Sequence, residues 1–407
     1  CGIVGVCDRM DPQRARHLLS RLLATMDARG PDGAGHYIQD DLAMGMRRLA
    51  VIDVEGGGQP LMSRDGQVVA FQNGEIYNHA DLRRELERSG VRFKTSGDTE
   101  VLAHGYDQWG MERLLAKLDG MYALAILDRR TRRLHLARDR FGEKPLFYSQ
   151  VGERFAYSSN TTALALLPWV NLDIDPGSVD RYLALHYVPG RRTMFKGIHR
   201  LLPGERLTLS LDTCAVSLET YYRPALTPIA PVTSLDLLAR IESAVASRLV
   251  ADVPVGVFLS GGIDSSIVAA VAAKHHPAID TFSMGFKDAR CDESVHAQTV
   301  ARAVGASHHH FTFDETAFHE LLPTVVEALD EPNGDQALLP TYWLCREAKR
   351  HVTVVLSGEG ADELFAGYDY YGGMLPRRSW RFRVQEWIGG RAVAAPLQRL
   401  CQNIQPV

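Results

Sequence analysis

The sequence predicts two domains, a strand-rich α+β domain followed by an α/β domain with a parallel sheet. One observation is the length of 407 residues, 45% of them hydrophobic, because single hydrophobic cores stop growing at about 250–300 residues. The other is a change in apolar periodicity. Short strands with glycine-rich turns dominate the first half, whereas strands and helices alternate in the second.

The first half of the chain predicts the α+β domain, over residues 1–210. Apolar or alternating segments predict strands at 2–7, 42–54, 68–72, 121–128 and 133–137. Helical periodicity appears only between them, at 12–28, 79–89 and 99–108. Residues 211–233 lose this regularity and contain closely spaced Pro224, Pro228 and Pro231, which predicts a linker.

The second half predicts the parallel sheet, over residues 234–407. Helices are predicted at 234–249, 265–275, 293–304 and 316–329. Strands are predicted between them at 255–259, 281–284, 308–313 and 352–356. Such regular alternation is typical of parallel α/β folds.

Composition argues against several classes of protein. The 45 basic and 49 acidic residues are interspersed and give a net charge of −4, so no surface suited to nucleic acid is expected. No apolar run reaches the roughly 18 residues of a membrane helix, and the N-terminus lacks a signal-type segment, so we expect a cytoplasmic protein. The six cysteines show no paired spacing, which disfavours a zinc site or a disulfide framework.

Cys1 carries a thiol and a free α-amine on one residue, at the start of a predicted strand. An α-amine has an ordinary pKa of about 7.7–8.0 and a thiol one of about 8.5, so near neutral pH one group can take up the other's proton. The pair predicts a nucleophile with its own base. Taken alone, Cys1 leaves open a cysteine that begins the chain by chance.

Four motifs accompany Cys1: Arg29-Gly30-Pro31-Asp32-Gly33, Arg48-Leu49-Ala50-Val51-Ile52-Asp53, Asn73-Gly74-Glu75-Ile76-Tyr77-Asn78 and Ser96-Gly97-Asp98-Thr99-Glu100. Together they resemble the class II, N-terminal-nucleophile glutamine amidotransferases, in the branch of the asparagine synthetases. The resemblance implies that residues 1–210 form an αββα Ntn-hydrolase sandwich that hydrolyses glutamine. It extends over the chain to about residue 371.

Each group of a glutamine substrate has a candidate partner in these motifs. Arg48 can fork onto the α-carboxylate. Asp98 can balance the α-ammonium, and the family places Glu75 near it. Asn73 and the N–H of Gly74 can hold the oxyanion of a tetrahedral intermediate. The resemblance adds Leu49, Ala50, Val51 and Ile52 as glutamine-binding residues.

Two serine-glycine turns follow predicted strands in the second half: Ser260-Gly261-Gly262-Ile263-Asp264-Ser265-Ser266 and Ser357-Gly358-Glu359-Gly360-Ala361-Asp362. A strand, a glycine-rich turn and a helix start form an anion-binding site. The first turn lacks the Gly-Lys-Ser/Thr ending of a Walker A loop and resembles the pyrophosphate loop of ATP pyrophosphatases. Both turns are expected at the carboxyl edge of one sheet.

The family resemblance implies ATP as co-substrate and Mg²⁺ as cofactor. Asp264 and Asp362 would repel each other unless a hard cation lies between them, which Mg²⁺ bound to pyrophosphate oxygens supplies. Glu359 resembles the family residue needed to form an acyl-adenylate. The remaining implied ATP contacts are Phe258, Ser260, Gly261, Gly262, Ser265, Met284, Ser357 and Gly358.

Two other stretches favour structural interpretations. His308, His309 and His310 follow one another on a predicted strand, where side chains alternate between faces, so a shared metal is disfavoured. Residues 139–146 read first as a structural turn, although the family has them near its domain interface.

Three departures qualify the resemblance. The chain stops at Val407, whereas asparagine synthetases continue, which predicts a fragment or an isoform with an incomplete synthetase half. Many relatives have Ser or Thr near Gln336 and Ala337 to meet the acceptor. Asn160 stands where the family usually has Glu after a Ser.

The leading hypothesis is a glutamine-hydrolysing asparagine synthetase. Ammonia from Cys1 would pass through an internal tunnel and attack an aspartyl-adenylate, giving asparagine, AMP and PPi. A second hypothesis keeps this chemistry with another acceptor carboxylate, from a peptide, a sugar acid or a secondary metabolite. A third is a non-enzymatic protein that binds glutamine or ATP. Small molecules are the expected partners, and a homodimer is compatible with the resemblance.

Overall fold

The computed structural model describes residues 1–225, 232–286, 292–368 and 371. The chain divides into two compact units. Unit 1 comprises Cys1–Leu226 and Thr324–Leu338, and unit 2 comprises Thr227–Pro323 and Leu339–Val407. No helix among the described residues is long and apolar enough to cross a membrane.

Unit 1 contains two antiparallel sheets. Its strands are β1 (Gly2–Cys7), β2 (Gly33–Gln39), β3 (Leu42–Arg48), β4 (Leu61–Met62), β5 (Val68–Ile76), β6 (Gly120–Asp128), β7 (Arg133–Arg138), β8 (Phe147–Val151), β9 (Arg154–Ser158), β10 (His199–Arg200), β11 (Glu205–Ser210) and β12 (Val216–Thr220). Six strands form the first sheet, in the order β10-β8-β9-β1-β3-β2, and six form the second, in the order β12-β11-β7-β6-β5-β4. β1 therefore lies inside the first sheet, between β9 and β3.

Helices cover the outer faces of both sheets. They are α1 (Pro12–Ala24), α2 (His79–Arg88), α3 (Glu100–Lys117) and α4 (Thr161–Ala165). A fifth helix, α5 (Pro176–Leu185), buries only Ser178. On β5, Val69 and Phe71 pack into the cluster between the sheets, whereas Val68 and Ala70 pack against α2 and α3. This alternation buries both faces of the strand. The αββα arrangement predicted from the family resemblance is confirmed.

The second half of the chain forms a parallel sheet. Its strands are β13 (Val255–Phe258), β14 (Asp280–Phe286), β15 (Ser307–Phe313) and β16 (Val354–Leu356), in the order β15-β14-β13-β16. The helices are α6 (Ser234–Arg248), α7 (Ile263–His275), α8 (Ser294–Val304), α9 (Glu315–Ala328), α10 (Leu338–Ala348) and α11 (Ala361–Phe365). Each neighbouring pair of strands is parallel, as predicted.

The predicted linker is where the structure differs most. Residues 216–220 pair with β11 as the edge strand β12, so regular structure of the first half continues past residue 210. Most β12 side chains are exposed and include Ser217 and Glu219, which removes the apolar alternation that marks a strand. Residues 324–338, predicted to belong to the second domain, lie in unit 1. Pro228, Pro231 and the segment from 372 to the C-terminus are outside the described residues.

Candidate active site

Cys1 is held at the start of β1 by contacts to two loops. Its α-amine donates a hydrogen bond to the Arg29 carbonyl at 2.7 Å, and Arg29 Nε donates to the Cys1 carbonyl at 3.1 Å. The thiol lies against the Leu49 backbone, whose N–H donates to Sγ at 3.2 Å and whose carbonyl lies 3.4 Å from Sγ. Both reactive groups of Cys1 are therefore fixed.

Burial of the Cys1 α-amine is the largest cause that lowers its pKa, from 8.0 to about 5. The positive charges of Arg29 and Lys144 lower the pKa further. At neutral pH the amine is consequently unprotonated. It can accept the thiol proton as the sulfur attacks a substrate.

Asn73 and Gly74, the predicted oxyanion pair, lie side by side on β5. Asn73 is buried, and its Nδ2 donates to Ser159 Oγ at 3.2 Å. Gly74 has φ +142°, and a Cβ at this position would lie 1.9 Å from the Met121 carbonyl oxygen. Only glycine fits here, because any side chain would collide with the backbone of β6.

Arg48 is anchored in the loop that follows β3. Its Nη1 donates to the Val54 carbonyl at 2.8 Å, and its Nη2 donates to the carbonyls of Ile52 at 2.9 Å and Asp53 at 2.6 Å. A guanidinium has five N–H donors, so these contacts leave two for a ligand. These two lie on different edges of the guanidinium, so the predicted forked contact with a substrate carboxylate would require Arg48 to release one of the loop carbonyls.

The two carboxylates predicted to meet the substrate ammonium have different surroundings. Asp98 is buried and accepts from Gln72 Nε2 and from the Ile76 N–H, both at 2.8 Å, which ties it to β5. Burial, and then the charge of Asp98, raise the pKa of Glu75 to about 7, while Lys144 and the Cys1 amine act in the opposite direction. Glu75 therefore belongs to the same electrostatic cluster as Cys1.

Asp53 joins two of the predicted motifs. Its carboxylate accepts from Ser96 N–H at 2.8 Å and Gly97 N–H at 3.2 Å, and also from Gly56 N–H at 2.9 Å. In the loop after β3, the Ala50 N–H donates to Asp32 at 2.9 Å, and the Ala50 and Val51 side chains are buried. The structure thus brings the motifs at 29–33, 48–53 and 96–100 together around Cys1.

Arg29, Lys144 and Ser159 contribute to the site but received no role from the sequence. Arg29 begins the motif at 29–33, and Ser159 directly precedes Asn160. Lys144 lies in the stretch assigned to a structural turn. The carboxylate of Asp139 does build that turn, because it accepts from the N–H groups of Phe141, Glu143 and Lys144. The turn also fixes the backbone of a lysine whose charge acts on Cys1 and Glu75.

In unit 2, the first serine-glycine turn is built by short-range contacts. Ser260 Oγ accepts from the Gly262 N–H at 3.2 Å and lies 3.0 Å from Ser265 Oγ. Gly261 has φ +88°, and α7 begins at Ile263, directly after the turn. The N–H groups at the start of this helix are available to an anion.

The second turn lies next to the first. β13 and β16 pair in parallel, with Val257 opposite Leu356. A Cβ on Gly358 would lie 3.0 Å from the Cβ of Asp264, so this glycine allows close packing of the two turns. Glu359 is exposed, and its N–H donates to Ser357 Oγ at 3.3 Å.

The remaining predicted ATP contacts lie near strand ends, and the second predicted magnesium ligand lies at a helix start. Phe258 is the last residue of β13, Met284 lies near the end of β14, and both are partly exposed. Asp362 lies in the first turn of α11. Among the described residues, no group of three or more His, Cys, Asp or Glu could hold a metal. Magnesium at Asp264 and Asp362 would therefore take its other oxygen ligands from phosphates and water.

The three consecutive histidines alternate between faces of β15, as predicted. His308 Nε2 and His310 Nδ1 lie 3.0 and 2.9 Å from Ser283 Oγ. His309 points to the other face, where it pairs with Asp280 at 2.8 Å and stacks on Phe282. Each of the three imidazole rings therefore contacts a side chain of the neighbouring strand β14.

Comparison with known proteins gives a match over both halves. The model of the glutamine amidotransferase domain matches residues 1–222, and that of asparagine synthase matches residues 236–404. The chain is 37% identical over 379 residues to asparagine synthetase (glutamine-hydrolyzing) 1 of Bacillus subtilis (strain 168), covering 91% of this chain and 59% of that protein.

Two further relatives show the same relation. A putative asparagine synthetase (glutamine-hydrolyzing) of Mycobacterium tuberculosis (strain ATCC 25618 / H37Rv) is 40% identical over 378 residues, covering 88% of this chain and 58% of the relative. Putative asparagine synthetase (glutamine-hydrolyzing) 2 of Methanocaldococcus jannaschii is 32% identical over 396 residues, covering 90% and 75%. The chain thus spans 58–59% of the length of the first two relatives.

Proposed function

Since the chain belongs to the family of glutamine-hydrolysing asparagine synthetases, we propose that it hydrolyses glutamine at Cys1 and uses ATP to amidate a carboxylate. The observation that carries the first half of this proposal is the fixed pair of thiol and unprotonated α-amine on Cys1. A protein that only binds glutamine would need neither group.

Glutamine hydrolysis proceeds through a thioester. The α-amine of Cys1 takes the thiol proton while Sγ attacks the side-chain amide carbon of glutamine. Asn73 Nδ2–H and the Gly74 N–H stabilise the resulting oxyanion. The intermediate collapses, the C–N bond breaks, and the amine returns its proton to the departing ammonia. Water then attacks the thioester, which releases glutamate and restores the thiol.

Substrate recognition follows from the charges around Cys1. Arg48 binds the α-carboxylate of glutamine through its N–H groups. The backbone of residues 49–52 lines the pocket next to Arg48. Asp98 and Glu75 face the α-ammonium. Lys144 favours the charged form of Glu75, because it opposes the effects of burial and of Asp98. The site therefore selects an amino acid that carries both charges.

In the ATP-dependent half, the N–H groups at the start of α7 and those of residues 357–358 hold the phosphates of ATP. Asp264 and Asp362 would hold Mg²⁺, which neutralises phosphate charge when it is bound. The acceptor carboxylate attacks the α-phosphorus of ATP and PPi leaves, with Glu359 supporting this step. Ammonia then attacks the acyl carbon, and AMP is expelled.

Aspartate is the proposed acceptor, because the family relatives are named for asparagine synthesis. The second candidate is the same chemistry on another carboxylate, and Gln336 and Ala337 favour it, since they replace the hydroxyl residues expected near an acceptor. Magnesium dependence, a homodimer and a cytoplasmic location stay predictions.

Glutamate release from glutamine tests the first step. We expect wild-type protein to release glutamate, and Cys1→Ala to lose at least about 1000-fold in rate, because the nucleophile and its acyl-enzyme pathway are removed. PPi release with ammonia and a panel of carboxylic acids identifies the acceptor. Equal glutamate release by wild type and Cys1→Ala would contradict the proposal.

A further inference from the structure

The turn between β9 and α4 is a continuous polar segment in the interior of unit 1. Ser158, Ser159, Asn160 and Thr161 are all nearly inaccessible to solvent. Buried polar groups destabilise a fold unless each finds a hydrogen-bond partner. The partners of this turn therefore indicate what it holds in place.

Ser159 connects the strand that carries Cys1 to the predicted oxyanion residue. Its N–H donates to the Ile3 carbonyl at 2.9 Å, and its Oγ accepts from the Ile3 N–H at 3.0 Å. Asn73 Nδ2 donates to the same Oγ at 3.2 Å. The two donors occupy both lone pairs of the hydroxyl oxygen. The Asn73 amide is thus held with its nitrogen toward Ser159, and its second N–H remains for a ligand.

Asp330 holds the other end of the turn. Thr161 Oγ1 donates to the Asp330 carbonyl at 2.8 Å, and Thr162 Oγ1 donates to Asp330 Oδ1 at 3.0 Å. Asp330 lies in the segment Thr324–Leu338, which belongs to unit 1 although the asparagine synthase model covers it. Its carboxylate also acts electrostatically on Arg29, the residue that holds the Cys1 amine.

We propose that Ser159 is a positioning residue for glutamine hydrolysis, which orients the Asn73 amide, and that Asp330 supports it by fixing the turn that carries Ser159. This inference rests on the proposed glutaminase function. An oxyanion site accelerates a reaction only when its donors point at the developing charge beforehand. Without the Ser159 hydroxyl the amide can rotate, and its oxygen would then repel the oxyanion.

Ser159→Ala tests the orienting role, with Ser149→Ala as a matched control. Both serines are fully buried in the first sheet region, and Ser149 Oγ has no hydrogen-bond partner among the described residues. We expect Ser159→Ala to lower kcat for glutamate release about 10- to 100-fold and to leave KM within about twofold, since Asn73 acts on the transition state. Ser149→Ala should keep wild-type kcat and KM.

Two further variants separate orientation from general damage. Ser159→Thr retains the hydroxyl and should recover at least half of the kcat lost in Ser159→Ala. Asp330→Ala should lower kcat about 3- to 10-fold with KM unchanged, because only one support of the turn is lost. Its control is Asp335→Ala, in the same loop, where the carboxylate accepts from Ala337 N–H at 2.9 Å.

The outcomes distinguish this inference from the proposed function. If Ser159→Ala behaves like Ser149→Ala, or if it raises KM with kcat unchanged, Ser159 does not orient Asn73 and the inference is overturned. If wild-type protein releases no more glutamate than Cys1→Ala, the proposed function fails and the inference fails with it. Equal activities of Asp330→Ala and Asp335→Ala would overturn the supporting role of Asp330.

Discussion

The Cys1 site and the serine-glycine turns of unit 2 are built by contacts of very different range along the chain. The Ser159 hydroxyl connects to Ile3, 156 residues away, and to Asn73, 86 residues away. In unit 2, the Ser260 hydroxyl contacts Gly262 and Ser265, two and five residues away.

This difference concerns how each site reaches its working geometry. The Cys1 site exists only when both sheets of unit 1 are assembled, so its donors are fixed before substrate arrives. The hydroxyl contacts of the first serine-glycine turn are local, and the N–H groups at the start of α7 stay open to an anion. We therefore expect substitutions of residues far from Cys1 in the sequence to change the rate of glutamine hydrolysis. Substitutions in the serine-glycine turn should instead change the affinity for ATP.

Asp264→Asn tests whether the two sites work independently, and it is the substitution here with the largest expected loss of activity. We expect Mg²⁺-dependent PPi release to fall about 100-fold or more, because metal-ion charge stabilisation contributes several kcal/mol. Glutamate release should stay at the wild-type rate. The control is Glu315→Gln, the same change of carboxylate to amide at an exposed position on α9. Loss of both glutamate release and PPi release in a folded protein would show that the two sites are not independent.

Arg48→Lys addresses substrate binding at the Cys1 site. A lysine cannot reproduce a forked carboxylate contact, which corresponds to about 1–3 kcal/mol and thus a rise in KM for glutamine of about 5- to 150-fold. We expect kcat to fall less than KM rises. Arg154→Lys, at a half-exposed position outside the site, serves as the control. An unchanged KM would place the substrate carboxylate elsewhere.

Lys144→Met examines the electrostatics of the same site through pH. The wild-type α-amine has a pKa of about 5, so at saturating glutamine kcat for glutamate release should rise with pH through that value, whereas binding of the substrate ammonium also follows Glu75, whose pKa is about 7. Loss of the Lys144 charge raises this pKa toward 8.0 and moves the acid limb to higher pH. Activity at pH 5 should fall about 2- to 5-fold, with little change at high pH.

The control for this experiment is Lys196→Met, which removes a half-exposed lysine paired with Asp173. An acid limb that moves equally in both variants, or in neither, would contradict the role of Lys144.

Ser260→Ala gives the smallest expected effect and sharpens the comparison with Ser159→Ala. It removes hydrogen bonds within one turn, worth about 0.5–1.5 kcal/mol, so Mg·ATP affinity should fall only about 2- to 12-fold. Calorimetric titration measures this change, and glutamate release should not alter. A loss of affinity of 100-fold or more would mean that the turn, too, is fixed by more than its local contacts.

The sequence predicted those features that are determined by short, local segments of the chain. The strand at Gly2–Cys7 agrees with its predicted bounds, because six consecutive apolar or small residues are buried on both faces. The two serine-glycine turns were predicted to meet, and the parallel pairing of β13 and β16 brings them together. Each of these two turns directly follows the end of its strand.

Other features depend on strand register and on folding of the complete unit. The hairpin of β8 and β9 is not among the predicted strands, although it places Ser158 opposite Phe147 and brings Ser159 to Ile3. Nothing in the local sequence around Ser159 indicates contact with Asn73. The role of Lys144 likewise arises from its proximity to groups on other strands, which a motif in a turn cannot disclose.

Unit 1 is discontinuous along the chain, and this limits how the protein can be dissected. Glu331, in the returning segment, accepts from Arg200 at 2.5 Å, and both side chains are less than one fifth exposed. A truncation after residue 226 would delete this carboxylate and Asp330 together and leave Arg200 without its carboxylate partner. A stable glutaminase fragment would therefore require residues 324–338 to be supplied as well, by a shortened internal connection or as a separate peptide.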